Sequence, residues 1–228
     1  RLSDVILAVD EPIKTTRCSP DTGRGCQPDG SRCATHELWD ALRQHILGFL
    51  AQVSLADVVE VGLAKTVGVS NYNVVQTKVA HRVLAERAIP LGSNQVEFSL
   101  LNRRAEHNGV LQVCHELGMT LIAYSPLGMG MLTGKYKPCN PPPGLRSRRY
   151  NSAFLKRLGS FVDLMREIGE RYGGKTPAQV SLNWVICKGA VPIPGSKNAR
   201  QAEENAGALG WQLSADEVAE LDQASLIL

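Results

Sequence analysis

Long apolar runs are missing from this sequence. No stretch approaches the roughly 18 consecutive apolar residues of a membrane-spanning helix, so no membrane partner is expected. A dominant charge is missing too. The 25 basic and 22 acidic residues leave a net charge of +3, too little to argue for nucleic acid or an anionic surface. The one local cluster of basic residues, Arg146, Arg148 and Arg149, follows a proline run and is expected to be a solvated loop. Of six cysteines, Cys18, Cys26 and Cys33 form no C-x-x-C pair and have no histidine at a zinc-finger spacing, although His36 lies close, while Cys114, Cys139 and Cys187 sit in apolar helical patterns or a loop, where cysteine is usually a small buried hydrophobe. No metal site is therefore expected, and a reducing, intracellular compartment is the simplest inference. Nothing near Arg1 has the apolar core and small-residue cleavage site of a secretory signal. Tyrosine is sparse, and none precedes Tyr72.

What is present is the composition of an ordinary globular protein, with 43% hydrophobic and 21% charged residues and length enough for one sizeable core. Two regions differ in grammar. Residues 1–54 form an atypical segment. Val5 to Val9 suggests one buried strand, residues 15 to 35 suggest loop or disorder, and residues 37 to 53 suggest one helix. From residue 55 to 228 short apolar strands alternate with amphipathic helices. A helical stretch from Leu55 to Leu63 leads into the strand Thr66 to Val69. Val75, Val79 and Val83 then mark one helical face, Ser93 to Phe98 a strand, and Val110, Val113, Cys114 and Leu117 a helical stripe stopped at Gly118. Met119 to Tyr124 is the third strand, broken by Ser125-Pro126. After a proline-rich loop, Phe154, Leu158, Phe161, Met165 and Ile168 predict a strongly amphipathic helix. Thr176-Pro177-Ala178-Gln179 caps another helix, Ala190 to Ile193 is the fourth strand, and Ser214 to Glu217 caps the terminal helix. Strands that start about 26 residues apart fit βα units in a parallel sheet, which is either doubly wound or a barrel.

Several segments bear on that choice. Gly68-Val69-Ser70-Asn71-Tyr72, Asn94-Gln95-Val96-Glu97, Ala123-Tyr124-Ser125-Pro126-Leu127-Gly128 and Ile193-Pro194-Gly195-Ser196 occur in this order. Gly134-Lys135-Tyr136 lies in the long loop, and Gln201-Ala202-Glu203-Glu204-Asn205 follows the fourth strand. Together, from about Leu55 to Leu221, they resemble the aldo-keto reductase family. The proline loop and Gly207-Ala208-Leu209-Gly210-Trp211 are most similar to its plant and algal plastid branch. The resemblance implies an α/β fold, a partial (β/α)8 TIM-type barrel comprising about the last four βα units, with its site at the C-terminal strand ends.

The resemblance also implies roles. Ser70, Asn71 and Gln95 would bond the nicotinamide carboxamide and Tyr124 would stack on the ring; amide groups and an aromatic face suit those tasks. Ser125, Pro126, Leu127, Ile193 and Gly195 would complete the cofactor cradle. Ser196, Lys197, Gln201, Glu204 and Asn205 would hold the adenosine phosphate, with Ser196 and Lys197 on a 2′-phosphate and Arg200 nearby. NADP (NADPH) is accordingly expected rather than NAD, although some branches place an arginine where Gln201 stands. No G-x-G-x-x-G string is present, as a barrel requires none. Taken singly, Ser70-Asn71 would be a helix cap and Tyr124 a packing residue.

In this family a tyrosine delivers the proton as hydride arrives, assisted by an aspartate, a lysine and a histidine from the first half of the barrel. Asp10, Lys14 and His36 have none of the family's surroundings, so no catalytic residue is named. Half a barrel leaves two strand edges and one sheet face uncovered. The expectation is a truncated or mis-spliced relative, or a chain that pairs with another copy of itself. The expected function is NADP-dependent reduction of a small aldehyde or ketone by hydride transfer, impaired in this chain. The alternative is a non-catalytic nicotinamide-nucleotide-binding or regulatory module. A soluble protein of plastid or cytoplasm is expected.

Overall fold

The computed structural model describes Ser3, Gln27, Asp29, Ser31, Arg32 and residues 34–144 and 150–228. The strand expected at Val5 to Val9, most of the segment 15 to 35, and Asp10, Lys14, Cys18, Cys26, Cys33, Arg146, Arg148 and Arg149 lie outside the described residues.

The chain divides into two compact units, Arg1–Val67 and Gly68–Leu228. The described part of the first holds helices α1 (His36–Gln52) and α2 (Leu55–Glu60). No residue of α1 is buried; Leu38 and Phe49 are 69% and 66% exposed. Helix α2 starts at a capping box, in which Ser54 Oγ accepts from Asp57 N and Asp57 accepts from Ser54 N.

The second unit is built on strands β1 (Val67–Ser70), β2 (Leu91–Glu97), β3 (Thr120–Tyr124) and β4 (Ala190–Ile193). They lie side by side in sequence order, and β2, β3 and β4 are parallel. A doubly wound sheet reverses its strand order at a switch point, whereas a barrel adds each strand beside the last. This sheet has the barrel connectivity. Between and after the strands run α3 (Val74–Ala85), α4 (Arg104–His107), α5 (Val110–Glu116), a 3₁₀ segment (Gly128–Thr133), α6 (Ser152–Glu170), α7 (Pro177–Cys187), α8 (Ala199–Ala206) and α9 (Ala215–Ser225).

Strand residues alternate between two faces. On one, Val96, Leu121, Ala123 and Ala190 are buried, continuing into Phe98 beyond β2. They pack with Leu158, Met165 and Ile168 of α6 and with Val180, Trp184 and Val185 of α7. On the other, Ser70, Gln95, Glu97, Tyr124, Val191 and Ile193 are half-buried or exposed. The hydrophobic core therefore sits wholly on the helix side, where each large apolar side chain removed from water contributes about 1.5–3 kcal/mol. The five-residue stripe expected from Phe154 to Ile168 does form α6. Its core-facing positions are Leu155, Leu158, Phe161, Val162, Met165 and Ile168, with Phe154 only partly buried.

Val75, Val79 and Val83 share a face of α3 as their spacing predicts, but they are 70%, 45% and 47% exposed. A different stripe faces the sheet. Val74, Ala80 and Leu84 pack against the core, and buried Thr77 accepts a hydrogen bond from Asn94 Nδ2 at 3.3 Å. Gly118 has φ 66°, the left-handed conformation anticipated for a glycine after α5.

Polar networks fasten the last helix. Asp222 of α9 accepts from Trp184 Nε1 at 2.9 Å and Lys188 Nζ at 2.5 Å, and pairs with Arg103 at 3.4 Å. Glu106 completes this cluster, pairing with Arg103 at 2.8 Å and with Lys188 at 2.7 Å. At the start of α9, Glu217 accepts from Tyr172 Oη, Arg171 and both N–H and O–H of Ser214.

Candidate functional site

The C-terminal ends of the strands gather the first group of expected residues. Ser70 Oγ donates to Gln95 O at 3.1 Å, and Asn71 N donates to the same carbonyl at 2.8 Å. Asn71 takes φ 57° and Ser125 φ 51°, left-handed conformations that asparagine tolerates better than most residues. Tyr124 Oη donates to Asn71 Oδ1 at 3.2 Å, linking the ends of β1 and β3 across β2. The helix cap is neither Ser70 nor Asn71. It is Asn73, whose Oδ1 accepts from Gln76 N at 2.9 Å while Gln76 returns a bond to Asn73 N. Ser70 and Asn71 are thus not occupied in capping, and Tyr124 is half-exposed rather than packed away.

One residue supports this turn without having been singled out for a role. Asn94 is fully buried and brackets Tyr72, donating to its carbonyl at 2.9 Å and accepting from its N–H at 3.4 Å. A polar residue flanked by strand residues on the core face was the available signal: such a group must find partners.

The second group lines one cavity of about 720 Å³. Ser125, Pro126 and Leu127 form one side, and Gly195, Ser196, Lys197, Gln201, Glu204 and Asn205 the other. The second side is pre-set by internal bonds. Asn205 Nδ2 donates to Ser196 Oγ at 2.9 Å, Lys197 N to Gln201 Oε1 at 2.8 Å, and Gln201 N to the N-cap Asn198 Oδ1 at 3.0 Å. Lys135 and Tyr136, quoted above only as part of a matching string, also line the cavity, as does Arg200. Lys135, Lys197 and Arg200 stand against the single carboxylate of Glu204, a balance that favours an anionic ligand.

Ser70, Gln95 and Ile193 do not line this cavity; they lie on the open sheet face, where Ile193 is 44% exposed. Asn71 and Tyr124 border a smaller hollow of about 240 Å³ with Asn73, Glu97, Asn102 and Arg104. Among the described residues no group of three His, Cys, Asp or Glu side chains is placed to hold a metal ion. His36 opens α1 in the first unit.

These features converge with the relatives. A family model described as aldo/keto reductase matches residues 46–226. The chain belongs to the aldo/keto reductase family. It is 47% identical over 171 residues to a protein of Arabidopsis thaliana named pyridoxal reductase, chloroplastic, covering 75% of this chain and 46% of that one. Among solved structures, an aldo-keto reductase of the silkworm Bombyx mori in complex with NADPH superposes with a TM-score of 0.54 at 32% identity, over 74% of this chain and 44% of that one. The glycerol dehydrogenase of Gluconobacter oxydans shares the fold with a TM-score of 0.67 at 23% identity, over 75% of this chain and 51% of that one. The chain spans about half the length of the curated relatives it matches. It is an α/β chain whose sheet is part of a barrel. A second family model, described as an iron-dependent transcriptional regulator, matches residues 1–61, too little of the chain to assign it to that family. No helix among the described residues is long and apolar enough to cross a membrane.

Proposed function

We propose that this chain binds NADP(H) and is the cofactor-holding half of a reductase acting on small aldehydes or ketones. The observation that carries the proposal is the single cavity bringing residues from the end of β3 against those from β4 and α8, with three cations facing one carboxylate. The residues fit the group. Lys197 and Arg200, with the Ser196 hydroxyl, suit a 2′-phosphate, and Lys135 on the opposite wall suits the bridging phosphates. Tyr124 offers a ring face, and Ser70, Asn71 and Gln95 offer donors and acceptors for a carboxamide. Bound there, NADPH would supply a hydride. The chain's own part is to orient the nicotinamide ring and neutralise the phosphates.

The expected proton donor of the family has no counterpart among the residues named here, so binding without turnover is the expected behaviour of the 228-residue chain. The test is titration with NADPH by fluorescence, followed by NADPH oxidation with 4-nitrobenzaldehyde. Saturable binding with no turnover supports the proposal, and absence of binding overturns it. A non-catalytic nucleotide-binding module predicts the same two results. Turnover restored by adding the first barrel half of the Arabidopsis relative would distinguish a divided enzyme from that module.

We also propose that a second copy covers the open sheet face, on which Val191 and Ile193 are 50% and 44% exposed. Sedimentation of the dilute chain as a monomer with a sharp thermal transition would count against this. A plastid or cytoplasmic compartment is consistent with a relative named chloroplastic, and a fluorescent-protein fusion would decide between them.

A further inference from the structure

Helix α8 carries Gln201, Glu204 and Asn205 but buries none of its residues, so apolar packing does not hold it in place. Its hold comes instead from side-chain amides and amines on neighbouring segments. Gln179 Nε2 donates to the Glu204 carbonyl at 2.9 Å, and Lys175 Nζ and Trp211 Nε1 donate to the Gly207 carbonyl at 3.2 and 3.0 Å. Just beyond, Asn183 Nδ2 donates to Ala208 O at 3.0 Å. Of these donors, only Gln179 bonds within the helix itself.

Both ends of the Gln179 amide are committed. Its Oε1 accepts from Thr176 N at 2.9 Å, closing the capping box of α7, which fixes Nε2 towards α8. The close approach needs a glycine opposite. A Cβ built on Gly207 would lie 2.1 Å from Gln179 Nε2, although Gly207 has φ −64°, which any residue adopts. Gly207 is thus required by this contact and not by its backbone. At its other side α8 grips the β4–α8 loop: Asn205 Nδ2 holds Ser196 Oγ and Gln201 Oε1 holds Lys197 N. Because Asn205 is the donor, the Ser196 hydroxyl hydrogen is left to donate outward.

We propose that Gln179, admitted by Gly207, is a positioning residue that sets α8 on α7 and, through Asn205 and Gln201, aims Ser196 and Lys197 at a nucleotide 2′-phosphate. This rests on the nucleotide reading above. It assigns a task to the Thr176–Gln179 capping box and to the Gly207–Trp211 segment that neither strand nor helix formation demands.

The test uses the whole chain with Gln179→Glu and Gly207→Ala, each titrated with NADPH and with NADH by calorimetry. Gln179→Glu keeps an oxygen for Thr176 N but has no proton for Glu204 O. Gly207→Ala, which does not line the cavity, evicts the Gln179 amide. Each is expected to weaken NADPH binding about fivefold and to lower the NADPH-over-NADH preference by about threefold or more, in keeping with one lost hydrogen bond. Adding Gly207→Ala to Gln179→Ala should then cost nothing further. A purely structural role would weaken both nucleotides alike or lower only the thermal midpoint, and an unchanged preference in both variants overturns the proposal alone. Failure of the unaltered chain to bind either nucleotide overturns the site and this inference together. Should Gln179→Glu not fold, Gly207→Ala carries the same comparison.

Discussion

Replacing Glu217 with glutamine removes one negative charge from a carboxylate that accepts four hydrogen bonds. The residue is only 7% exposed. Burial alone would raise its carboxyl above the ordinary glutamate value of 4.5, but the bonds from Tyr172, Ser214 and Arg171 outweigh burial and hold it lower. The same contact pushes the Tyr172 hydroxyl up. A depressed carboxylate contributes stability that is present above its unfolded value and is lost as pH falls through the folded one. Glutamine can still receive the Tyr172 hydroxyl, but not as an anion. Hydrogen bonds to a charged group contribute about 1.5–3 kcal/mol net. The Arg171 side chain is 55% exposed, so that ion pair adds no more than a few tenths. Glu217→Gln should therefore destabilise the chain by about 1.5–3 kcal/mol near neutral pH. At about 2–4 °C per kcal/mol, this lowers the thermal midpoint by roughly 3–12 °C. Urea titrations are the assay, followed through Trp211, whose ring lies 4.6 Å from that of Tyr172. The gap between variant and parent should hold down to the ordinary glutamate value of 4.5 and shrink only below it, as the parent's carboxylate takes up its proton. A gap that stays constant with pH, or one below about 0.5 kcal/mol at neutrality, would refute the reasoning.

Three further outcomes are expected. Leu158→Ala, at a fully buried position of α6, should cost about 2–5 kcal/mol in urea unfolding. Asp222→Ala strips the acceptor from Trp184 Nε1 and one of two carboxylates from Arg103 and Lys188, whose side chains are 11% and 15% exposed; a loss of about 2–3 kcal/mol is expected by chemical denaturation. Lys197→Ala should weaken NADPH binding about tenfold at low salt and leave NADH binding nearly unchanged, as measured by calorimetry.

Much of the second unit was legible because its signals are local. Strand periodicity at Ser93 to Phe98 and Met119 to Tyr124, the capping boxes at Thr176 and Ser214, and the stripe along α6 each follow from neighbours in sequence. The valines of α3 point outward because the sheet-facing side is chosen by tertiary partners, above all Asn94 meeting Thr77. Spacing alone supplies an apolar stripe but not which flank of the helix meets the sheet. In the same way, the string at Ile193 matched as one block, yet strand alternation turns Ile193 to the open face while Gly195 to Lys197 reach the cavity. Lys135 and Tyr136 enter the cavity only because the turns around Gly128–Gly134 fold the loop back. The amides of Gln179 and Asn183 act 25 to 30 residues away, a range at which single-sequence patterns carry no information about partners.

The placement of the core on one side of the sheet has a consequence for how this half-barrel tolerates change. Leu121 and Ala123 are locked among helices, whereas their strand neighbours Ile122 and Tyr124 project from the opposite surface. Alternate positions along one strand therefore meet separate physical constraints, one set by packing and the other by the exposed surface. Substitution at Ile193, which is 44% exposed, therefore removes far less buried apolar surface than substitution at Leu121 or Ala123. The two faces of one strand thus carry different penalties for change.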